Sequence, residues 1–241
     1  IISGAGALTK NGTGALSLSG NNTYTGITTL RNGTITLDHE NGLGSGGNIT
    51  FTGGALQYGA GISTDISSRI KNSTTAILID TNGNNVSFDS AVDSTNTLGL
   101  TKNGTGTLSL THINNYLGAT VINAGILTIS GSGQLGSGTY SGNISNAGTF
   151  NYASSANQTL SGIISGNGAL TQSGASNLTL TGVETYTGAT TITAGTLTIG
   201  GAGQLGSGNY SGNIANSGTF VYGSTANQTL GGTISGTGAL I

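Results

Sequence analysis

The feature that most limits what this chain can become is repetition of a long, nearly unchanged text. Residues 168–200 read GALTQSGASNLTLTGVETYTGATTITAGTLTIG, and close versions occur at 99–129 and 7–37. Each copy holds short apolar/polar alternations, such as Leu178-Thr179-Leu180 and Thr196-Leu197-Thr198-Ile199, separated by glycine or small polar residues. A period of two predicts strands with one buried face, and the glycines predict a corner after each. A chain that repeats one supersecondary unit buries its apolar face by stacking, because no single unit can do so alone.

The spacing sets the expected architecture. Leu100, Leu170 and Leu240 lie 70 residues apart, Leu8 lies 92 before Leu100, and residues 131–170 match 201–240 at 30 of 40 positions. A common step of about 23 residues accounts for both distances and suits one turn of a three-sided β-solenoid. The expectation is all-β: a parallel β-helix of roughly ten turns and about 50 Å, with rungs about 4.8 Å apart. Residues 1–241 read as one solenoid segment of a longer chain, with units 8–99, 100–169 and 170–239 and no signal peptide. Inward positions in the last unit are Leu170, Leu178, Leu180, Ile192, Leu197, Ile199, Leu205, Ile214, Phe220, Tyr222, Leu230 and Ile234. Asn143, Asn146, Asn157, Asn213, Asn216 and Asn227 read as corner residues that tolerate left-handed backbone and hydrogen-bond their own main chain.

Composition narrows the function. Charged residues make up 5% of the chain, the net charge is −2, glycine numbers 46, and proline and cysteine are absent. Regular spacing of β-branched residues separates this from a disordered, highly charged tail. No basic stripe exists to neutralise phosphates, which argues against nucleic-acid partners. Every lysine and arginine lies at or before Lys102, and after it only Glu184 is charged. Charge concentrates in 57–97, the least repetitive stretch, read as an extra turn with a loop pushed outward and as the place to look for binding specificity.

Parallel β-helices include polysaccharide lyases and hydrolases, which need paired carboxylates or a carboxylate–metal–arginine cluster. Arg69-Ile70-Lys71 resembles a polygalacturonase tripeptide, but no Asp-Asp pair or Gly-His-Gly accompanies it. Asp80, Asn82 and Asn84 open like a calcium loop, yet Asn85 stands where glycine is required and Ala91 where the bidentate glutamate belongs. One incidental cation near Asp80 and Asp89 is the most this stretch offers. No catalytic, cofactor-binding or metal-ligating residue is assigned. The candidate ligand surface is the outward threonine pairs Thr179/Thr181, Thr191/Thr193 and Thr196/Thr198, with Thr34/Thr36 earlier. Such rows are the kind of surface ice-binding solenoids use, although Ser109 and Ile126 break them in the middle copy.

With the repeat written out, the text resembles the passenger-associated transport repeat of bacterial autotransporters (type V secretion). The likeness rests on Leu8-Thr9-Lys10-Asn11-Gly12-Thr13-Gly14 with Asn22-Thr23-Tyr24-Thr25-Gly26. It rests also on Leu100 to Leu108 with Tyr116 and Gly118-Ala119-Thr120, and on Tyr186 to Thr191 with Ala194-Gly195-Thr196-Leu197. Departures are Gln172-Ser173-Gly174 for Lys-Asn-Gly, and Leu117 for threonine. The resemblance implies a right-handed parallel β-helix passenger, adhesin-like, exported through a C-terminal β-barrel lying outside this segment. It implies display at the outer membrane or secretion, and a surface ligand (glycan or protein) or self-association as partner. The residues therefore favour a non-enzymatic structural or adhesive stalk; a self-assembling fibre or ice-binding rod is the alternative, and a polysaccharide-active enzyme comes third.

Overall fold

The computed structural model describes all 241 residues as a parallel β-solenoid of about 12 turns. Strands of mostly two to four residues alternate with corners, and their ladders are parallel throughout. Three columns of strands make a three-sided rod. One face starts at Leu8–Lys10, continues through Thr28–Leu30 and Ile49–Phe51, and ends in a sheet running from Thr139–Tyr140 to Ala239–Leu240. A second stacks Ala15–Leu18 up to Ile164–Ser165, and a third stacks Val86–Phe88 up to Ile234–Ser235. We call these faces A, B and C. Hydrogen bonding does not stop at the strands: of 131 backbone–backbone bonds, 69 lie outside them, so the corners stack as well.

Turn length is shorter and less even than the sequence spacing predicts. Ala15 sits beside Thr34, a step of 19, whereas Thr120 sits beside Ile144, a step of 24. The expected ten turns of about 23 residues are accordingly twelve shorter ones.

The reason is that the 70-residue repeat is not a whole number of turns. Three steps up face B lead from Leu100 to Thr120, Ile144 and Ile164, which is 64 residues. Leu170 then begins the next strand, on face C beside Phe150. Leu8 lies on face A, Leu100 on face B and Leu170 on face C. Each unit is therefore turned by one face relative to the one before it, after three and a third turns, or four and a third in the longer first unit. Equivalent residues spiral around the rod and do not stack on one another.

Each copy of the repeat nevertheless stacks on itself. Leu8, Leu100 and Leu170 pair with Thr28, Thr120 and Thr190, and Ala15, Thr107 and Asn177 pair with Thr34, Ile126 and Thr196. The return corner needs a glycine in left-handed backbone: Gly33, Gly125 and Gly195 have φ of +64°, +66° and +62°. A Cβ there would strike the carbonyls of Gly14, Gly106 and Gly174 respectively.

A single apolar column of 41 buried residues runs the length of the rod. Nine of the expected inward residues of the last unit are buried; Tyr222 and Leu230 are partly covered and Ile234 is 39% exposed. Those three lie in the last rungs of the described stack. The stretch 57–97 continues the solenoid, with strands Ala55–Tyr58, Ile77–Asp80 and Val86–Phe88 in register. The outward loop expected there reduces to two extra residues at one corner, described below.

None of the six asparagines assigned to corners has left-handed backbone; among non-glycine residues only Asn72, Asn82, Ser137 and Ser207 do. Asn146 makes the expected local bond, accepting the Gly148 N–H at 3.1 Å, and five of the six side chains bond to a neighbouring turn. Asn143, Asn157 and Asn213 accept the N–H of Ile163, Asn177 and Thr233, each 20 residues onward. Buried Asn146 donates to the Ala169 carbonyl at 2.9 Å, and Asn216 to that of Ala239 at 2.7 Å. A parallel stack offers the amide a partner one rung away, so these asparagines need no left-handed backbone.

Candidate functional site

Several polar residues of the repeat signature are buried, and they close the corners. Lys10 and Lys102 occupy the same place in the first two copies, and both are buried. The Lys102 ammonium donates to the carbonyls of Asn103 (2.9 Å), Gly104 (2.7 Å) and Ala124 (3.2 Å). No acid pairs with it, so burial pulls its pKa down to about 8. Gln172 replaces it in the third copy and donates to Gly174 and Ser176 at 3.1 and 2.8 Å. The departure from the family text therefore substitutes a neutral donor for a charged one at an unchanged job.

A second slot holds Asn22, Asn114 and Glu184. Asn22 accepts the Ile2 N–H and donates to the Gly42 carbonyl, each at 2.7 Å. Asn114 accepts from Val92 at 3.0 Å and donates to the His112 carbonyl. Glu184 accepts the Ile164 N–H on Oε2, while Oε1 is buried without a partner. Burial raises its pKa to about 8. Glu184 thus keeps the acceptor role of the asparagines but makes no bond corresponding to their donation to a carbonyl. Beside this slot Tyr24, Tyr116 and Tyr186 bond through their hydroxyls to Thr28, Thr120 and Thr190 at 2.6 to 2.8 Å. Tyr140 and Tyr210 add an edge-to-face ring and a second bond to Thr120 and Thr190.

With Lys102 and Glu184 both at 0% exposure, no lysine, arginine, aspartate or glutamate beyond Asp93 reaches the surface. The exposed charges lie on the first unit, where several act as pins. Arg69 donates to the carbonyls of Gly47, Gly44 and Leu43 at 2.9, 3.1 and 2.8 Å, tying one turn to the corner below. Its likeness to a polygalacturonase tripeptide is thus matched by a capping role. Asp80 accepts from Gln57 and from the Asn82 N–H, whereas Asp89 accepts from Ser87 and Thr111 at the end of another face.

The candidate threonines fall on two faces. Thr179, Thr181, Thr196 and Thr198 belong to face A, and Thr191 and Thr193 to face C. On face A the register lines up Thr139, Thr159, Thr179 and Thr198, followed by Val221. Sequence reasoning missed Thr139 and Thr159 because like residues were expected to stack at the repeat spacing.

One concavity interrupts this surface, an open cleft of about 460 Å³ at the corner beside Tyr116 and Tyr140. Its wall is an insertion. Asn115 and Leu117 bond through their N–H groups to Val92 and Asn96, four residues apart. At the equivalent corners Thr23 and Thr25 bond to Ile2 and Gly4, and Thr185 and Thr187 to Ile164 and Gly166, two apart. The extra length bulges at Asp93-Ser94-Thr95. It is held by a 2.5 Å ion pair between Lys71 and Asp93 and by Thr95 bonding to the same carboxylate. Asn96 closes its base on the carbonyls of Ile70 and Asp93. Nothing in the repeat text marks this site except Leu117, which stands where the sister copies have threonine.

Fold and corners together define a repetitive β-solenoid whose signature residues hold turns together. Residues 8–37, 100–129 and 170–199 each match the passenger-associated-transport-repeat. Over 141 residues, 53% of this chain, it is 35% identical to the adhesin BmaC autotransporter of Brucella suis biovar 1 (strain 1330). The chain spans 4% of that relative's length. No solved structure matches it. The chain thus carries three copies of the transport repeat and is similar over about half its length to an autotransporter adhesin.

Proposed function

We propose that this chain is a non-enzymatic, adhesive part of an autotransporter passenger, held at the bacterial cell surface or released from it. The observation that carries the reading is the placement of the three transport repeats. They are full load-sharing turns of one continuous stack, with signature lysines, asparagines and tyrosines spent on joining rungs. Such a rod projects a surface away from its anchor, and a ligand meets a wall of hydroxyl and amide groups. The partner is a glycan or protein of another surface, and a β-barrel translocator lies elsewhere in the full-length protein. A stack also suits export, because a chain without disulfides passes a pore extended and then adds turn upon turn.

Two experiments test this. Protease treatment of intact cells of the source bacterium is expected to remove the antigen, and protection until lysis would overturn surface display. Beads coated with the purified chain are expected to attach to epithelial monolayers above albumin-coated controls; equal attachment would remove the adhesive role.

A further inference from the structure

We propose that the corner cleft between Ser94 and Ser141 is a binding site for one uncharged sugar residue of a surface glycan. The inference rests on the adhesive reading and supplies its ligand class.

The lining is chemically specific. The hydroxyls of Ser94, Thr139 and Ser141 make no hydrogen bond within the protein, and the Asn115 amide nitrogen is also free, its oxygen being held by Ser137 at 3.0 Å. Each hydroxyl both donates and accepts, which matches the vicinal hydroxyls of a sugar. Leu117, 53% exposed, and the edge of Tyr140 supply an apolar patch for the C–H face of a pyranose. The volume lies within the roughly 300–1,000 Å³ of small-molecule sites. The one carboxylate near the wall, Asp93, is already paired with Lys71. An anionic ligand would find no cation here and a cationic one no free acid, so an uncharged, hydroxylated ligand fits.

The molecule contains its own control. The equivalent corner in the third copy has the same tyrosine pair and the same Gly-Ser-Gly turn, Gly206–Gly208 for Gly136–Gly138. It lacks the bulge and has Thr187 for Leu117 and Asn209 for Thr139. The fold thus tolerates both corners, and only the bulged one is hollow. The wall of the cleft is tied to the turn below through Lys71 and Asn96, and Thr95 bonds to the Asp93 carboxylate within it.

The test uses the full chain with ¹³C-labelled leucine methyls, titrated with the methyl glycosides of glucose, galactose, mannose and N-acetylglucosamine. A saturable shift of the Leu117 methyls is expected with at least one of them. Two variants borrow sister-copy geometry: Thr139→Asn, and deletion of Ser94 and Thr95, which restores the short corner. Both are expected to keep the thermal midpoint of the parent and to weaken binding about tenfold or more. If the deletion fails to fold, Thr139→Asn decides. No saturable shift with any glycoside, or binding undiminished in the folded variants, would overturn the site. Bead attachment that survives Thr139→Asn unchanged would remove the cleft from adhesion and leave the adhesive reading standing.

Discussion

The first unit and the last two share one backbone plan and differ in where they keep their charge. In residues 8–99 every charge but buried Lys10 is outside or half-outside: Arg69 spans a corner, and Lys71 and Asp93 tie adjacent turns. Beyond Asp93 the only two, Lys102 and Glu184, are buried and are replaced at equivalent positions by Gln172 and by Asn22 and Asn114. A solenoid can therefore use charge as an external clamp or dispense with it, because the carbonyl-capping jobs inside need a donor and not a charge. The irregular, charged unit is also where one corner lengthens, and the cleft opens where that corner meets the second unit. The corresponding corner of the third unit has no such cleft.

The sharpest way to break the comparison is to attack the one element both halves share. Phe150→Ala empties a fully buried rung and is expected to cost about 3–5 kcal/mol, with the transition broadened as neighbouring turns uncouple. Denaturant unfolding read by tyrosine fluorescence measures it. A loss under about 1 kcal/mol would mean the turns contribute independently.

Next in size is Glu184. Its folded pKa of about 8 lies above the ordinary 4.5, so the native state holds the extra proton between those values. Its contribution is full below about pH 4.5 and is lost as pH rises through about 8, at most about 5 kcal/mol. Glu184→Asn, copying the sister slots, is expected to flatten that dependence. Thermal midpoints measured from pH 4 to 9 decide it; an unchanged slope in the variant would assign the dependence elsewhere.

Arg69→Ala is expected to cost about 2–3 kcal/mol, because three corner carbonyls lose a charged donor. Hydrogen exchange should localise the loosening to residues 43–47. Protection there equal to the parent's would show that the clamp is dispensable.

Lys102 runs the other way in pH. Its folded pKa of about 8 lies below 10.5, so wild-type stability should rise between those values. Lys102→Gln, the residue of the third copy, is expected to change stability by about 1 kcal/mol or less at neutral pH and to remove that rise. The smallest effect is expected for Asp93→Asn. It breaks a half-exposed ion pair and costs about 0–1 kcal/mol, while freeing the bulge that walls the cleft. Crystallographic or exchange data on 93–95 would show the release.

Much of the fold was legible because alternation and glycine corners are local signals. Leu178, Leu180, Leu197 and Ile199 were read as inward and are buried, since period two in a stacked strand leaves no other choice. Turn length was misread because 70 residues divide neatly by three, while the chain divides them into ten strand-and-corner steps. The cleft was illegible for a related reason. Two residues added at 93–95 look like ordinary loop text until the rung above is placed on them.

What the sequence by itself determined is the element, a short strand with one apolar face and a glycine corner, and the fact that it repeats. It determined as well that the second half carries almost no charge. Which face each copy occupies was decided only in three dimensions. The three sides of the rod accept the same strand, so local text cannot say on which side it will fall. That depends on the sum of all corner lengths before it, and a sum of lengths is a property of the stack. The burial of Lys102 and Glu184 follows in the same way, since it takes the neighbouring rungs to exclude water from a side chain that its own turn leaves open.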